Sequence, residues 1–400
     1  MKILVLPYTH ALSHISRPLL VAEELRRRGH EVVFAGEGPK VRFIRDAGFQ
    51  VLPVYEPDPA ILFGNIRKGK MRFVTDEVIE EMVEADLALF KEVGPCIVLT
   101  DGRFSARIST HIAGIKHVAI VNVSSTEYRA EPYIPFLDFI PDSLHIGKAR
   151  DLLNLKLEIS IFDRVMSVFK RLSRQYGIKT LVTATNCLTG KDYTLLPDIP
   201  EYFPTKNLPD NYSYIGPITW NSRLPGPHWW PPKKDGRELV YITMGTTGVA
   251  DFFEKIYDLF KASEFLAIIT TGAQSGKLRT TEGKIYVEDF MDGDLAIEAS
   301  ELVVCHGGNG TIYQALQHGR PVIGIPTIPD QKFNMRRVEA LGLGKTLFWK
   351  DFEKSPERLL DLIKEVLADS SVRENVVRFR ELSGKYDAPR IAADIIEGLG

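Results

Sequence analysis

Short apolar runs alternate with amphipathic stretches along most of the chain, a pattern that predicts parallel β-strands connected by helices. Residues 3–7 read as a buried first strand, followed by a loop carrying Thr9, His10, Ser13 and His14. The spacing of Leu19, Leu20, Ala22 and Leu25 then predicts a helix that stops at Gly29, and residues 30–35 form the next strand. This is a βαβ opening. Residues 48–70, with Pro53, Pro57, Pro59 and Gly64, read as a loop before an amphipathic helix over about 76–93. Residues 96–100 are a strand that delivers Asp101 and Gly102 to its carboxyl end, and a helix from Ala106 and a strand from Val118 follow. Further on, a long helical run is expected from Leu152 to Phe169, and a strand near Leu195.

The alternation restarts at Glu238 with a strand over 239–244, a turn over 245–248, a helix to Ala262 and strands over 266–270 and 285–287. Between the two series, residues 218–235 hold Pro225, Pro227, Pro231 and Pro232 with Trp220, Trp229 and Trp230, a composition suited to an interdomain linker of restricted flexibility. The expected organisation is therefore a first domain over 1–217, the linker over 218–235, a second domain over 236–382 and a terminal helical segment over 383–400, with Pro389 at its bend. Four hundred residues also suit two domains better than one core.

A net charge of −2 gives no reason to expect a nucleic-acid surface or a polybasic membrane anchor. No stretch approaches the ~20 apolar residues of a membrane span. Three scattered cysteines, Cys96, Cys187 and Cys305, fit a reducing compartment, so a cytoplasmic protein is expected; a monomer or homodimer is expected as well.

Residues 305–331, CHGGNGTIYQALQHGRPVIGIPTIPDQ, carry the most specific chemistry. A buried strand runs into His306-Gly307-Gly308-Asn309-Gly310-Thr311 and then a helix, which ends at Gly319. Such a strand, glycine-rich turn and helix N-terminus offers backbone N–H groups and the positive end of a helix dipole to an anion, most often a phosphate. The following strand, 321–326, leads to Asp330 and Gln331 at a strand's carboxyl end, where ligands of open α/β sheets gather.

The ordered set HGGxGT, Gln314, HGRPVIGIP, DQ and Asn334 resembles the C-terminal signature of the family 1 glycosyltransferases. Residues 13–30, SHISRPLLVAEELRRRGH, lie without a gap on that family's GHxxPxxxLAxxLxxRGH element. The resemblance implies a GT-B fold, two Rossmann-like doubly wound α/β domains facing a cleft, with the acceptor on the first and the donor on the second. It implies inverting, metal-independent transfer of a sugar from a UDP- or dTDP-sugar to an acceptor hydroxyl, with no cofactor. His14 takes the place of the catalytic base and Asp101 that of its orienting carboxylate, with His10 and Ser13 at the acceptor pocket. Thr243 and Thr246 match a donor loop, and Phe290 the aromatic that stacks on the base. His306, Gly308, Gly310 and Thr311 fall to the diphosphate, with Asn309 a further donor-binding residue, Gln314 to the ribose, and Asp330 and Gln331 to the sugar hydroxyls. The largely apolar residues between 129 and 169 imply a hydrophobic acceptor.

Four departures stand out: Ser13 for glycine, Arg17 for proline, Gln314 for glutamate, and Asp292-Gly293 in the base loop. Each site residue also has a plainer reading. His14 and Asp101 would be polar residues at helix N-termini, His10 is a rival base, and Asp330 and Gln331 would cap a helix. Asp292-Gly293-Asp294 spells the DxD of metal-dependent transferases, but in this context is read as chance. A GT-B epimerase, a lipid-intermediate transferase and a non-catalytic nucleotide-sugar binder are the competing functions.

Overall fold

Strands that pair in parallel are buried on both faces and need continuous apolar runs, and the chain supplies two sets of them. The computed structural model describes all residues except 69, 135–146, 220–223, 245–249 and 275–277. Trp220 and the donor candidate Thr246 thus lie outside the described residues. The chain divides into two units, Met1–Ile218 with Tyr386–Gly400, and Thr219–Lys385.

The first unit holds β1 (Lys2–Pro7), β2 (Glu31–Ala35), β3 (Gln50–Leu52), β4 (Ile97–Asp101), β5 (Lys116–Ile120), β6 (Tyr193–Leu196) and β7 (Tyr212–Tyr214), in the order β3-β2-β1-β4-β5-β6-β7. Its helices are α1 (Leu12–Arg27), α2 (Val41–Asp46), α3 (Pro59–Arg67), α4 (Asp76–Val93), α5 (Ala106–Ala113), α6 (Gly147–Val165) and α7 (Val168–Gln175). The second unit holds β8 (Leu239–Thr243), β9 (Leu266–Thr270), β10 (Ile285–Glu288), β11 (Leu302–Cys305), β12 (Val322–Gly324) and β13 (Gly344–Thr346), in the order β10-β9-β8-β11-β12-β13. Its helices are α8 (Ala250–Ala262), α9 (Gly293–Ala299), α10 (Asn309–Gln317), α11 (Pro329–Ala340), α12 (Trp349–Lys354), α13 (Arg358–Ala368) and α14 (Ser370–Ser383), and α15 (Ala388–Glu397) returns to the first unit. Among the described residues every strand pairing in both sheets is parallel.

The register positions the candidate site. β1 and β4 are paired so that Pro7 lies beside Asp101. The loop entering α1 and the carboxyl end of β4 therefore emerge side by side. In α15, Ala388, Ala392, Ala393 and Ile396 join the core of Ile15, Leu19, Val21 and Ala22. Alanines on that face let two helices approach closely. Arg28 Nη1 closes the contact on Asp394 at 2.6 Å and Glu397 at 2.7 Å.

Several elements differ from the sequence expectation. Residues 48–70 are not a loop: they contain β3 and α3, and Pro59 opens α3, a position where its missing N–H is no loss. The helical run from 152 to 169 breaks between α6 and α7. Ser13 and His14 lie in the first turn of α1, not in the preceding loop. The Pro- and Trp-rich segment packs onto the second unit: Trp229 Nε1 donates to Glu288 at 2.7 Å and its ring lies 4.7 Å from that of Tyr286. Pro389 sits in the first turn of α15, after the bend.

Asp86 in α4 is fully buried and anchors the segment after β4. It accepts from Arg103 Nε at 3.0 Å, Ser105 Oγ at 2.6 Å and Ser109 Oγ at 2.8 Å, with Arg103 Nη2 at ion-pair distance. Removing one partner of a buried ion pair strands the other. Asp86→Ala should therefore lower the unfolding free energy of the first unit by about 3–5 kcal/mol. Urea unfolding checks this, and a loss within ordinary surface-mutation scatter contradicts it.

Candidate active site

At the carboxyl ends of β1 and β4 the geometry converges on one carboxylate. Asp101 is 1% exposed, and His14 Nδ1 lies 2.6 Å from its Oδ1. At that distance the imidazole must donate through Nδ1–H, which leaves the Nε2 lone pair as its basic site. Arg17 reaches the same carboxylate, Nε to Oδ2 at 2.8 Å and Nη2 to Oδ1 at 2.7 Å. Its Nη2 also approaches His14 Nδ1 at 3.4 Å, but two donors face each other there and no hydrogen bond forms. Gly102 follows with φ +81°, and a Cβ there would meet His14 Nδ1 at 3.0 Å. Only glycine combines that backbone with that approach.

His10, the rival base, lies on the loop with its ring 5.3 Å from that of Tyr8, while Tyr8 meets the His14 ring edge-on at 6.3 Å. Asp101 pairs with His14 and not with His10. Ser13 is exposed at the start of α1.

In the second unit, β11 runs into the turn exactly preceding α10, where Gly308 is the N-cap and no side chain caps the helix. The N–H groups of this first turn have no partner within the helix. Asn309, Gly310 and Thr311 occupy that turn. A Cβ on Gly308 would come within 2.4 Å of His306 Nε2, whereas one on Gly310 would meet nothing within 4 Å. His306 Nδ1 is sealed from solvent without a hydrogen-bond partner among the described residues, and burial pushes the imidazole pKa down to about 4. Cys305 is fully buried, its thiol raised to about 12 by desolvation. It belongs to the core.

α11 is joined to this turn. Asn334 Nδ2 donates to Gly307 O at 3.0 Å and lies 3.4 Å from Asp330 Oδ2, so Asp330 is brought to the same end of the sheet. Gln331 is 3% exposed, and its Oε1 accepts from Thr327 N at 2.8 Å and from Ile328 N at 3.3 Å. The helix N-cap is Ile328, and Gln331 supplies the capping oxygen from inside the helix. Thr243 ends the central strand β8 beside Cys305. Phe290, 46% exposed, follows β10.

Gln314 Nε2 donates to Asp294 Oδ1 at 2.7 Å, and His318 Nε2 lies 3.0 Å from the same oxygen. Asp292 caps α9 by accepting from Asp294 N at 2.9 Å. The two carboxylates of the DxD sequence thus have separate tasks, and no group of three or more possible metal ligands occurs among the described residues. Asp294 and Arg17 had no role in the sequence reading. Their signal was present in the departures at 314 and 17, but only the fold shows what those side chains touch. Among the described residues no helix is long and apolar enough to cross a membrane.

A family model described as UDP-glucoronosyl and UDP-glucosyl transferase matches residues 299–389, the segment that contains this turn and α11. The PGL/p-HBAD biosynthesis rhamnosyltransferase of Mycobacterium bovis (strain BCG / Pasteur 1173P2) is 30% identical over 385 residues, covering 96% of this chain and 84% of that protein. Spinosyn rhamnosyltransferase SpnG superposes with a TM-score of 0.74 at 19% identity, covering 100% of both chains. SpnG complexed with thymidine diphosphate gives 0.73 at 19% identity, again over 100% of both chains. The chain belongs to this glycosyltransferase family. It is an enzyme of the GT-B fold that uses a nucleotide-sugar donor.

Two histidines with ring nitrogens shielded from water predict an acid-side loss of stability. His117 is fully buried between Thr100 Oγ1 at 2.9 Å and Lys191 N at 3.1 Å, and desolvation lowers its pKa. His306 is lowered in the same direction. Below the ordinary histidine range of about 6.5 the unfolded chain takes up protons that the folded chain refuses, so stability is retained above that pH and lost as pH falls towards about 4. The melting temperature should therefore fall between about pH 7 and pH 4.5, and His306→Gln should remove part of the fall. A melting temperature that is flat or rises over this window contradicts the assignment.

Proposed function

We propose that this glycosyltransferase is inverting and metal-independent, with His14 as the general base for a hydroxyl of a hydrophobic acceptor and Asp101 as the group that orients it. The observation that carries the reading is the 2.6 Å contact between His14 Nδ1 and a nearly buried carboxylate, which His10 does not share. A carboxylate on Nδ1–H fixes the tautomer and favours the imidazolium that forms as the proton arrives. The acceptor O–H would give its proton to Nε2 as its oxygen forms a bond to the anomeric carbon. The bond from that carbon to the diphosphate breaks, and its electron pair leaves on the phosphate oxygen. Direct displacement inverts the anomeric centre.

The departing diphosphate is assigned to the start of α10, where backbone N–H groups, Thr311 and His306 oppose the growing charge with dipoles already in place. Phe290 is placed against the base, Gln314 with Asp294 at the ribose, and Asp330 with Gln331 at the sugar. Thr243 is kept as a donor residue on its position at the end of β8, and Thr246 on the sequence resemblance alone. UDP and dTDP donors are the first candidates, the second because SpnG is described in complex with thymidine diphosphate. An apolar acceptor is supported by the exposed Leu152, Leu153 and Leu157 of α6.

Turnover of UDP- and dTDP-hexoses with hydrophobic phenols and alcohols tests the reading. His14→Ala should lower kcat by roughly 10²–10⁴-fold while nucleotide affinity stays at the wild-type level. Activity should survive EDTA, and the product's anomeric proton should report inversion by NMR. Gly310→Val would place its side chain in the open space before α10. It should weaken UDP or dTDP binding by about tenfold or more without lowering the melting temperature, since glycine is the poorer helix residue. Unchanged kcat in His14→Ala rules out the base, and unchanged affinity in Gly310→Val rules out the diphosphate position.

A further inference from the structure

Arg17 stands where the resembling family has proline, and proline could make none of the contacts that this arginine makes. Its guanidinium lies edge to edge with the Asp101 carboxylate, Nε on Oδ2 at 2.8 Å and Nη2 on Oδ1 at 2.7 Å. This is the two-point pairing that matches a planar fork to a planar carboxylate. The third arm, Nη1, donates to Oδ1 of Asn122, two residues beyond β5. One side chain on α1 thereby ties together the ends of β4 and β5. Arg17 is 12% exposed and Asp101 1%. With His14 neutral and no guanidinium beside it, Asp101 would be a buried charge without a counter-charge, which is strongly unfavourable.

We propose that Arg17 is the positioning residue of the His14–Asp101 pair, with Asn122 as its own support. Arg17 supplies the counter-charge and fixes the carboxylate plane, so that Oδ1 faces His14 Nδ1 and the imidazole presents Nε2 in one orientation. It acts through Asp101 and touches no substrate. This assignment rests on the reading of His14 as the base, and proline in its place would leave the carboxylate to be held in some other way.

Full-length wild type, Arg17→Ala, Arg17→Lys, Asn122→Ala and His14→Ala are compared with a donor and acceptor that the wild type turns over. In Arg17→Ala, kcat should fall roughly 10–100-fold, the size of effect expected from a misplaced catalytic group, while the donor KM changes less than about threefold. Arg17→Lys should recover only part of the loss, because one ammonium cannot hold both carboxylate oxygens. Millimolar guanidinium should restore part of the kcat of Arg17→Ala and none of that of His14→Ala. Should Arg17→Ala fail to fold, Asn122→Ala carries the test, since it frees one arm of Arg17 and leaves both charges in place. A severalfold loss of kcat at unchanged donor KM supports the proposal, and wild-type kcat overturns it. Folded Arg17→Ala with wild-type kcat also overturns it, as does full recovery by lysine without guanidinium rescue. If His14→Ala itself keeps wild-type kcat, the failure lies with the base assignment and is told apart from failure of the role of Arg17.

Discussion

A carboxylate at the end of a parallel strand, almost wholly out of water, persists only where cations and donors surround it, and Asp101 imposes that constraint on the first unit. The parallel register sets it beside Pro7, and its carbonyl accepts from Tyr8 N at 2.9 Å. The strand must then turn away through Gly102, because a side chain there would collide with His14 and Tyr8. α1 begins early enough to put His14 and Arg17, three residues apart and so on one face, against the carboxylate. Pro18 follows in the same helix and cannot donate to the His14 carbonyl four residues back. Farther out, Asp86 pins the segment after Gly102 through Arg103, Ser105 and Ser109. The features of this end of the sheet are thus responses to two buried carboxylates, Asp101 and Asp86.

The second unit solves the opposite problem, offering positive potential without a formal cation at the turn. Gly308 stands where a serine or aspartate would cap α10, and no side chain caps the helix. The turn is held from behind: Asn334 takes the Gly307 carbonyl, and Gln331 ties back Thr327 and Ile328. Fixed dipoles that need no rearrangement suit a leaving group whose charge appears only as the bond breaks. Gln314 lacks the charge of the glutamate expected there, but it holds the Asp294 carboxylate at 2.7 Å, so a negative group remains within reach of the same position.

Much of this was legible in the sequence, for physical reasons that vary along the chain. β1, β4, β8 and β11 are central strands whose apolar runs have no other stable place, and the HGGNGT turn is specific because strand, glycines and helix occur in order. Edge elements were harder. β3 and β13 are three-residue strands, and α3 begins on a proline in a stretch whose composition reads as loop. The break between α6 and α7 has no proline or glycine to mark it. At the site, His14 and Asp101 could be named because each sits in its own recognisable segment. The contacts of Arg17 could not, since they depend on three elements meeting and on a side-chain length that a one-dimensional pattern does not weigh. Asp294 was hidden because residues 292–294 also read as the DxD of metal-dependent transferases.

The central claim is that Asp101 holds His14 with its proton on Nδ1 and its lone pair on Nε2. Nitrogen-15 histidine NMR on the free enzyme at neutral pH measures this directly, with His14→Gln to assign the resonance. The account predicts the Nδ1–H tautomer for His14, with its proton shifted downfield by the short bond to the carboxylate and the signal lost in Asp101→Ala. An Nε2–H tautomer, or a His14 ring that exchanges freely between the two, would contradict it.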